Sequence, residues 1–287
     1  MPDPSTKILD HIPHLTPPGT LQASADAFRK LGFTVIPGGT HAGGATANAL
    51  VVFADGTYLE LIHFVRPPAP DDPNPWARKQ PGWIDYAFLG TGGEPSIADA
   101  INARAEKEGT SDTVHYAESK GGRRREDGKV LEWVISSTAE GLRGALPFFC
   151  GDVTPREWRV PLEPRSNAEH ANTALGVAYI KLLVASDNFD ASKKQLSTVL
   201  GAQPHTATGT LASWDLEEQP AHIGVHAAAP QLVLAAAQDD EERAYVQEHG
   251  PGIYEVGFLV SDVTKAGSAR TPFGRVVWQT SGGASGT

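Results

Sequence analysis

Short apolar runs recur along the chain, separated by turns rich in glycine, proline and acidic residues. Alternation with period two predicts half-buried strands, and recurrence near 3.6 predicts helices. Residues 9–14, Leu-Asp-His-Ile-Pro-His, read as a first strand. Leu21, Ala25, Phe28 and Leu31 share one helical face, and strands are expected at 34–36, 49–53 and 58–62. The proline-rich stretch 67–75 can be neither helix nor central strand, so it marks a crossing into a second unit. That unit offers a strand at 83–89 and a helix running from an N-cap at Ser96 to Glu108, with Gly109 as its stop. Strands at 130–136 and 146–149 complete it.

The second half repeats this order. A strand at 177–184 precedes a helix at 189–200 stopped by Gly201, with strands at 221–225 and 231–235. A fourth, abbreviated unit opens with a strand at 252–260. The period lies far above the ~20–50 residues of solenoid repeats, which argues for duplication. Residues 1–158 are expected to form one domain of two units, 159–173 a linker, and 174–287 a second, degenerate domain.

Composition narrows the function. With 24 Lys+Arg against 34 Asp+Glu the formal charge is −10, which makes nucleic acid and anionic membrane unsuitable partners. No apolar run approaches the ~18 residues of a membrane span. The single cysteine, Cys150, excludes an internal disulfide framework. No secretory signal is visible at the N-terminus, so a cytoplasmic location is expected.

The strand-helix-strand-strand-strand order, with His11 on the first strand and Glu60 on the last, resembles the repeat unit of the vicinal oxygen chelate superfamily. The chain resembles one branch in particular, the glyoxalase-like domain proteins. This likeness is carried by Leu9-Asp10-His11, Leu31-Gly32-Phe33-Thr34-Val35, Gly38-Gly39-Thr40-His41 with Thr46 to Leu50, Tyr58-Leu59-Glu60-Leu61-Ile62, and Leu146-Pro147-Phe148-Phe149. The resemblance implies an α+β fold in which paired βαβββ modules curl into cupped mixed sheets with helices outside. It also implies that His11 and Glu60 stand side by side in the cup. Imidazole plus carboxylate suits a divalent ion such as Zn, Fe, Mn or Ni.

Aligning Trp83 to Phe88 on the first strand places Asp85 opposite His11, as a third ligand or a polar edge residue. The fourth position falls near Phe149 or Cys150, neither a convincing ligand. Strict alternation puts His14 and His63 on the opposite faces from His11 and Glu60, so neither joins the pair. In the second half Tyr179 and Leu234 occupy the ligand positions and Glu255 stands alone, which predicts a cup without metal. The glycine-rich segment 38–44 lacks the lysine of a P-loop and precedes a strand. There the resemblance makes His41 and Asn48 candidates for substrate contact, with His41 also able to move a proton. The run Arg123-Arg124-Arg125 precedes an Asp-Gly turn. Arg124 is the arginine expected to bind a substrate oxygen, and Trp133 a pocket wall.

These readings converge on an expected metal-dependent lyase or isomerase acting on a small molecule. In it His11 and Glu60 hold the ion, and His41 or Glu60 moves the proton. A non-catalytic cup that sequesters a drug, toxin or metabolite is the alternative. A ring-cleaving dioxygenase ranks behind both, because it needs two histidines and a glutamate at one site. Four units in one chain can complete their cups internally, so a monomer or weak homodimer is expected.

Overall fold

The computed structural model describes residues 3–281 apart from Ala42, Glu126, Ile223 and 225–228. Four strand-led units follow one another. The first comprises β1 (Leu9–Thr16), α1 (Leu21–Lys30), β2 (Ile36–His41), β3 (Thr46–Val52) and β4 (Tyr58–Phe64). The second comprises β5 (Gly82–Trp83), β6 (Ala87–Leu89), α2 (Ile97–Glu108), β7 (Ala117–Arg124), β8 (Val130–Ser137) and β9 (Phe148–Asp152). The short helix α3 (Arg156–Arg159) leads out of it. The third is β10 (Ala174–Val184), α4 (Phe189–Leu200), β11 (Thr206–Ala207), β12 (Leu211–Asp215) and β13 (Gln231–Ala236). Helix α5 (Asp240–His249) then precedes β14 (Gly252–Val260), β15 (Gly267–Thr271) and β16 (Gly274–Gln279). In every unit an opening strand runs parallel to the last: β1 with β4, β6 with β9, β10 with β13, β14 with β16.

The helix limits follow local chemistry. Ser96 accepts the Asp99 N–H at the start of α2, and Gly109 and Gly201 end α2 and α4 in the left-handed region at φ 64°.

The first two units form one sheet, in the order β4-β3-β2-β7-β8-β9-β6-β1-β5. A further β4–β1 pairing closes all but β5 into a ring, and the interior of that ring is the cup. The last two units form a seven-stranded sheet, β11-β12-β13-β10-β14-β16-β15. Thus the first module pairs with the second, and not with its echo in the third. Residues of α1, α2 and α4 share one apolar core with residues of both sheets, including Phe28, Ile101, Leu196, Val51 and Val256. Phe258 of β14 meets Phe33 at 5.1 Å and Phe53 at 5.5 Å between ring centroids. Among the described residues no helix is long and apolar enough to cross a membrane.

Several elements differ from the sequence expectation. The second strand covers 36–41 and absorbs Gly38 and Gly39 of the expected glycine-rich segment, because it pairs on one side with β3 and on the other with β7. The strand expected at 83–89 is broken, and Asp85 sits in the gap between β5 and β6. β7 and α5 had no counterpart in the expected elements. Residues 220–222 form a 3-10 turn instead of opening a strand, while Ile223 and Val225 of the expected strand lie outside the described residues. The strand beside β13 is β12, where Leu211 to Asp215 pair along their length. The fourth unit contains three strands, more than its apolar pattern suggested.

Candidate active site

The cup of the first sheet encloses a cavity of about 480 Å³. His11, Glu60, His41, Asn48 and Trp133 all line it. Neighbouring strands bring them there: β1 lies beside β4, β3 pairs with β4, and β7 pairs with both β2 and β8.

On β1 strict alternation fails. A register shift against β6 between Leu9 and His11 lets Asp10 share the cup side with His11 while Leu9 enters the common core. Asp10 Oδ2 lies 2.7 Å from His11 Nδ1. Asp10 is fully buried and also meets Arg156 at 2.6 Å and Arg159 at 2.7 Å. Burial opposes its charge, but the two guanidinium groups and His11 outweigh that and hold its pKa well below the usual carboxylate range. An ionised Asp10 can only accept, so Nδ1 of His11 carries the proton. In the neutral ring Nε2 is then an open donor to a cation, facing Glu60 Oε2 at 3.8 Å. The imidazole is clamped by stacking on Tyr58, with ring centroids 4.6 Å apart and planes 12° apart.

Glu60 is 5 % exposed inside an apolar strand. Its Oε1 accepts the Asn48 amide at 2.6 Å and lies 3.3 Å from His41 Nε2. Burial favours the neutral acid, yet His41, His11 and the Asn48 amide together bring its pKa down to about 2. His41 is held from behind, Nδ1 lying 2.8 Å from Thr46 Oγ1. Glu60 Oε2 and His11 Nε2 thus both face the cavity.

Two expected site residues lie elsewhere. The β1–β6 register sets Ala87, not Asp85, across from His11. Asp85 accepts from Arg143 at 2.7 Å and from the Trp76 indole at 2.9 Å, so its carboxylate braces the cavity wall and supplies no third ligand. The partner-module ligand positions therefore carry Ala87 and, near Phe148 and Phe149, the buried thiol of Cys150, whose pKa burial raises. Arg124 is the second correction. It is exposed and donates to the Gly128 carbonyl, and it is Arg123 that points into the cup. His14 and His63 do lie away from the pair. His14 packs against Phe28 and Trp83, and His63 accepts the Gly19 N–H. In the second sheet Tyr179 donates to Glu255 at 2.6 Å, and Leu234 is fully buried.

Sequence reasoning missed Asp10, Arg123 and Arg159. Arg159 is 4 % exposed and joins Asp10, Asp152 and the Tyr58 hydroxyl from α3. Its only signal was the spacing of Arg156 and Arg159, one turn apart, where the expected linker begins.

Among the described residues no group of three or more His, Cys, Asp or Glu is arranged to hold a metal ion. The chemistry of the His11–Glu60 pair nonetheless fits two positions of an ion's coordination sphere. Each presents an open donor atom, and Asp10 fixes the imidazole as outer-sphere carboxylates do for metal-binding histidines.

No curated protein matches the sequence. Among solved structures, a hypothetical protein from Staphylococcus aureus superposes with a TM-score of 0.65 at 10 % identity, over 95 % of this chain and 98 % of that one. The Mn(II)-bound glyoxalase from Novosphingobium aromaticivorans gives 0.50 at 12 % identity, over 96 % and 82 %. A variant of 4-hydroxymandelate synthase from Streptomyces coelicolor gives 0.52 at 13 %, over 94 % and 78 %. At such identities the likeness concerns the fold. The profile of the glyoxalase-like domain matches residues 9–200, two thirds of the 287, and the chain therefore belongs to the glyoxalase-like domain family.

Proposed function

We propose that the cup is the active site of a small-molecule lyase or isomerase that uses a divalent metal held by His11 and Glu60. The observation that carries this reading is the Asp10–His11–Glu60 line, in which Nδ1 is engaged by Asp10 and Nε2 is left facing the carboxylate. A cation bound there supplies Lewis-acid polarisation of a substrate oxygen. His41 lies beside the same carboxylate and exchanges a proton between its Nε2 and the substrate carbon or oxygen. Thr46 fixes its ring, and Asn48 fixes the carboxylate. Trp133, Trp76 and Phe148 give the cavity an apolar wall against which a small substrate can lie.

Two other readings each have an observation behind them. Ala87 and Cys150 at the partner-module positions favour a cup that binds without transforming its ligand. His41 beside Glu60 gives the cup two histidines and one glutamate, the ligand composition of non-haem iron dioxygenases, although the two rings address different oxygens of the carboxylate.

The test is metal analysis of freshly purified protein, repeated for His11→Ala and Glu60→Gln. Near-stoichiometric metal in the parent, lost in both variants, is expected. Negligible metal in the parent would remove the metal-enzyme reading. Oxygen uptake or an unchanged ligand after incubation would point to the dioxygenase or the binder.

A further inference from the structure

Arg123 is 4 % exposed and lines the cavity, yet both of its described hydrogen-bond partners are neutral. Nη1 donates to Asn48 Oδ1 at 3.2 Å, and Nη2 to the Arg159 carbonyl at 3.5 Å. The other buried arginines around the cup are each matched with a carboxylate, Arg143 with Asp85 and Arg159 with Asp10, both at 2.7 Å. A buried guanidinium without an ion-pair partner is costly, and its five N–H donors exceed the two acceptors it has. Glu60, the acidic residue on the cavity lining, is already engaged by Asn48 and His41. Lys120, exposed on the same strand, adds a further positive charge to the lining. A chain of formal charge −10 thus presents a cavity with unmatched positive charge.

The backbone is cleared next to these groups. A Cβ on Gly39 would stand 3.3 Å from Arg123 Nη1, and one on Gly121 would stand 2.1 Å from the Trp133 indole nitrogen. Trp133 and Phe148 lie on the same cavity as Arg123.

We infer that the ligand of this cup is a small carboxylate with a flat apolar body, its carboxylate held by the Arg123 fork and its body lying against Trp133 and Phe148. The planar fork matches two carboxylate oxygens at once, and a cavity of about 480 Å³ admits one such molecule. The inference deepens the reading of the cup as the ligand site but does not depend on the metal. Binding is therefore measured in the presence of a chelator, where failure of the metal reading leaves it intact.

The experiment titrates the full-length chain with benzoate and with benzamide, its neutral counterpart, following the fluorescence of the tryptophans on the cavity. Benzoate is expected to bind roughly tenfold more tightly or better, the range of a charge-assisted hydrogen bond. Arg123→Gln should abolish that preference while still binding benzamide, which shows that the cup has folded. Arg123→Lys should retain part of it. Equal affinity for the two probes in the parent, a preference that survives Arg123→Gln, or no saturable binding of either probe would each overturn the inference.

Discussion

At the scale of single residues, the site depends on glycines as much as on its polar groups. A Cβ on Gly38 would stand 2.0 Å from Asn48 Oδ1, the side chain that holds Glu60 in place. Gly38→Ala should therefore displace Asn48, cost about 1–3 kcal/mol by overpacking, and weaken metal or ligand binding. Urea unfolding and titration of the cup read the two effects, and an unchanged variant would show that Asn48 has room to move. Buried histidines make a separate prediction about pH. Burial lowers His14 to about 3 and His170 to about 4, whereas an unfolded histidine titrates near 6.5. The unfolded chain takes up these protons first as pH falls, so their contribution is complete above pH 6.5 and drains away below it, down to about 4 for His170 and about 3 for His14. At 1.36 kcal/mol per unit, His170 alone accounts for a loss on the order of 3 kcal/mol. Its ring accepts the Thr34 N–H and faces the Val52 carbonyl, a pattern an amide can approximate. His170→Asn should be less stable at pH 7 but flatter in its acid dependence. Urea midpoints across pH 4–7 that keep the parent slope would refute this.

At the scale of elements, α1, α2 and α4 were legible while α5 was missed, and α4 coincides with the predicted 189–200 because Gly201 stops it. Strands were legible where both neighbours and pattern agreed, as in β4. They were illegible where long-range pairing overrode propensity, as in β2, whose Gly38 and Gly39 read as loop until β3 and β7 flank them. Of the site, His11, Glu60 and Trp133 were readable on patterned strands, whereas His41 and Asn48 were singled out by the family resemblance alone. Arg124 was preferred to Arg123 because an unrecognised strand offers no faces to choose between. Asp85 misled because aligning two first strands ignores the break that pairs Ala87 with His11. Helix α3 was hidden at the border of the expected linker, yet Arg159 of α3 joins Asp10 on β1 to Asp152 on β9. Arg159→Met would leave Asp10 with Arg156 alone at 2.6 Å, half its cationic pairing. Breaking one side of a buried pair costs about 3–5 kcal/mol, so the variant should unfold at markedly lower urea and lose metal. Arg159→Lys should recover part of the stability. A variant as stable as the parent would show that Arg156 suffices.

At the scale of the whole molecule, the four units find their partners within one chain, and the first two close their ring without leaving an edge other than β5. We propose on that ground that the protein is a monomer or a weak dimer, and light scattering behind size exclusion at micromolar concentration would expose a stable larger assembly. The expected division into domains at 159–173 meets a different physical situation. His170 and Asn172 bind this segment to the first unit through Thr34, Val52, Gly32 and Leu31. The sheets on either side of it share a core in which Phe33 and Phe53 meet Phe258, and Arg104 of α2 donates to the Thr198 and Val199 carbonyls at the end of α4. Fully burying a side chain such as Phe258 contributes roughly 1.5–3 kcal/mol, and separating the sheets would expose several at once. We propose on this ground that the two halves unfold together. Calorimetry should show one transition whose calorimetric and van't Hoff enthalpies agree. A chain ending at residue 173 should be poorly soluble or bind a hydrophobic dye, because the surface that meets Phe258 and Trp278 is uncovered. Two resolved transitions, together with a well-behaved truncated chain, would establish the halves as independent domains instead.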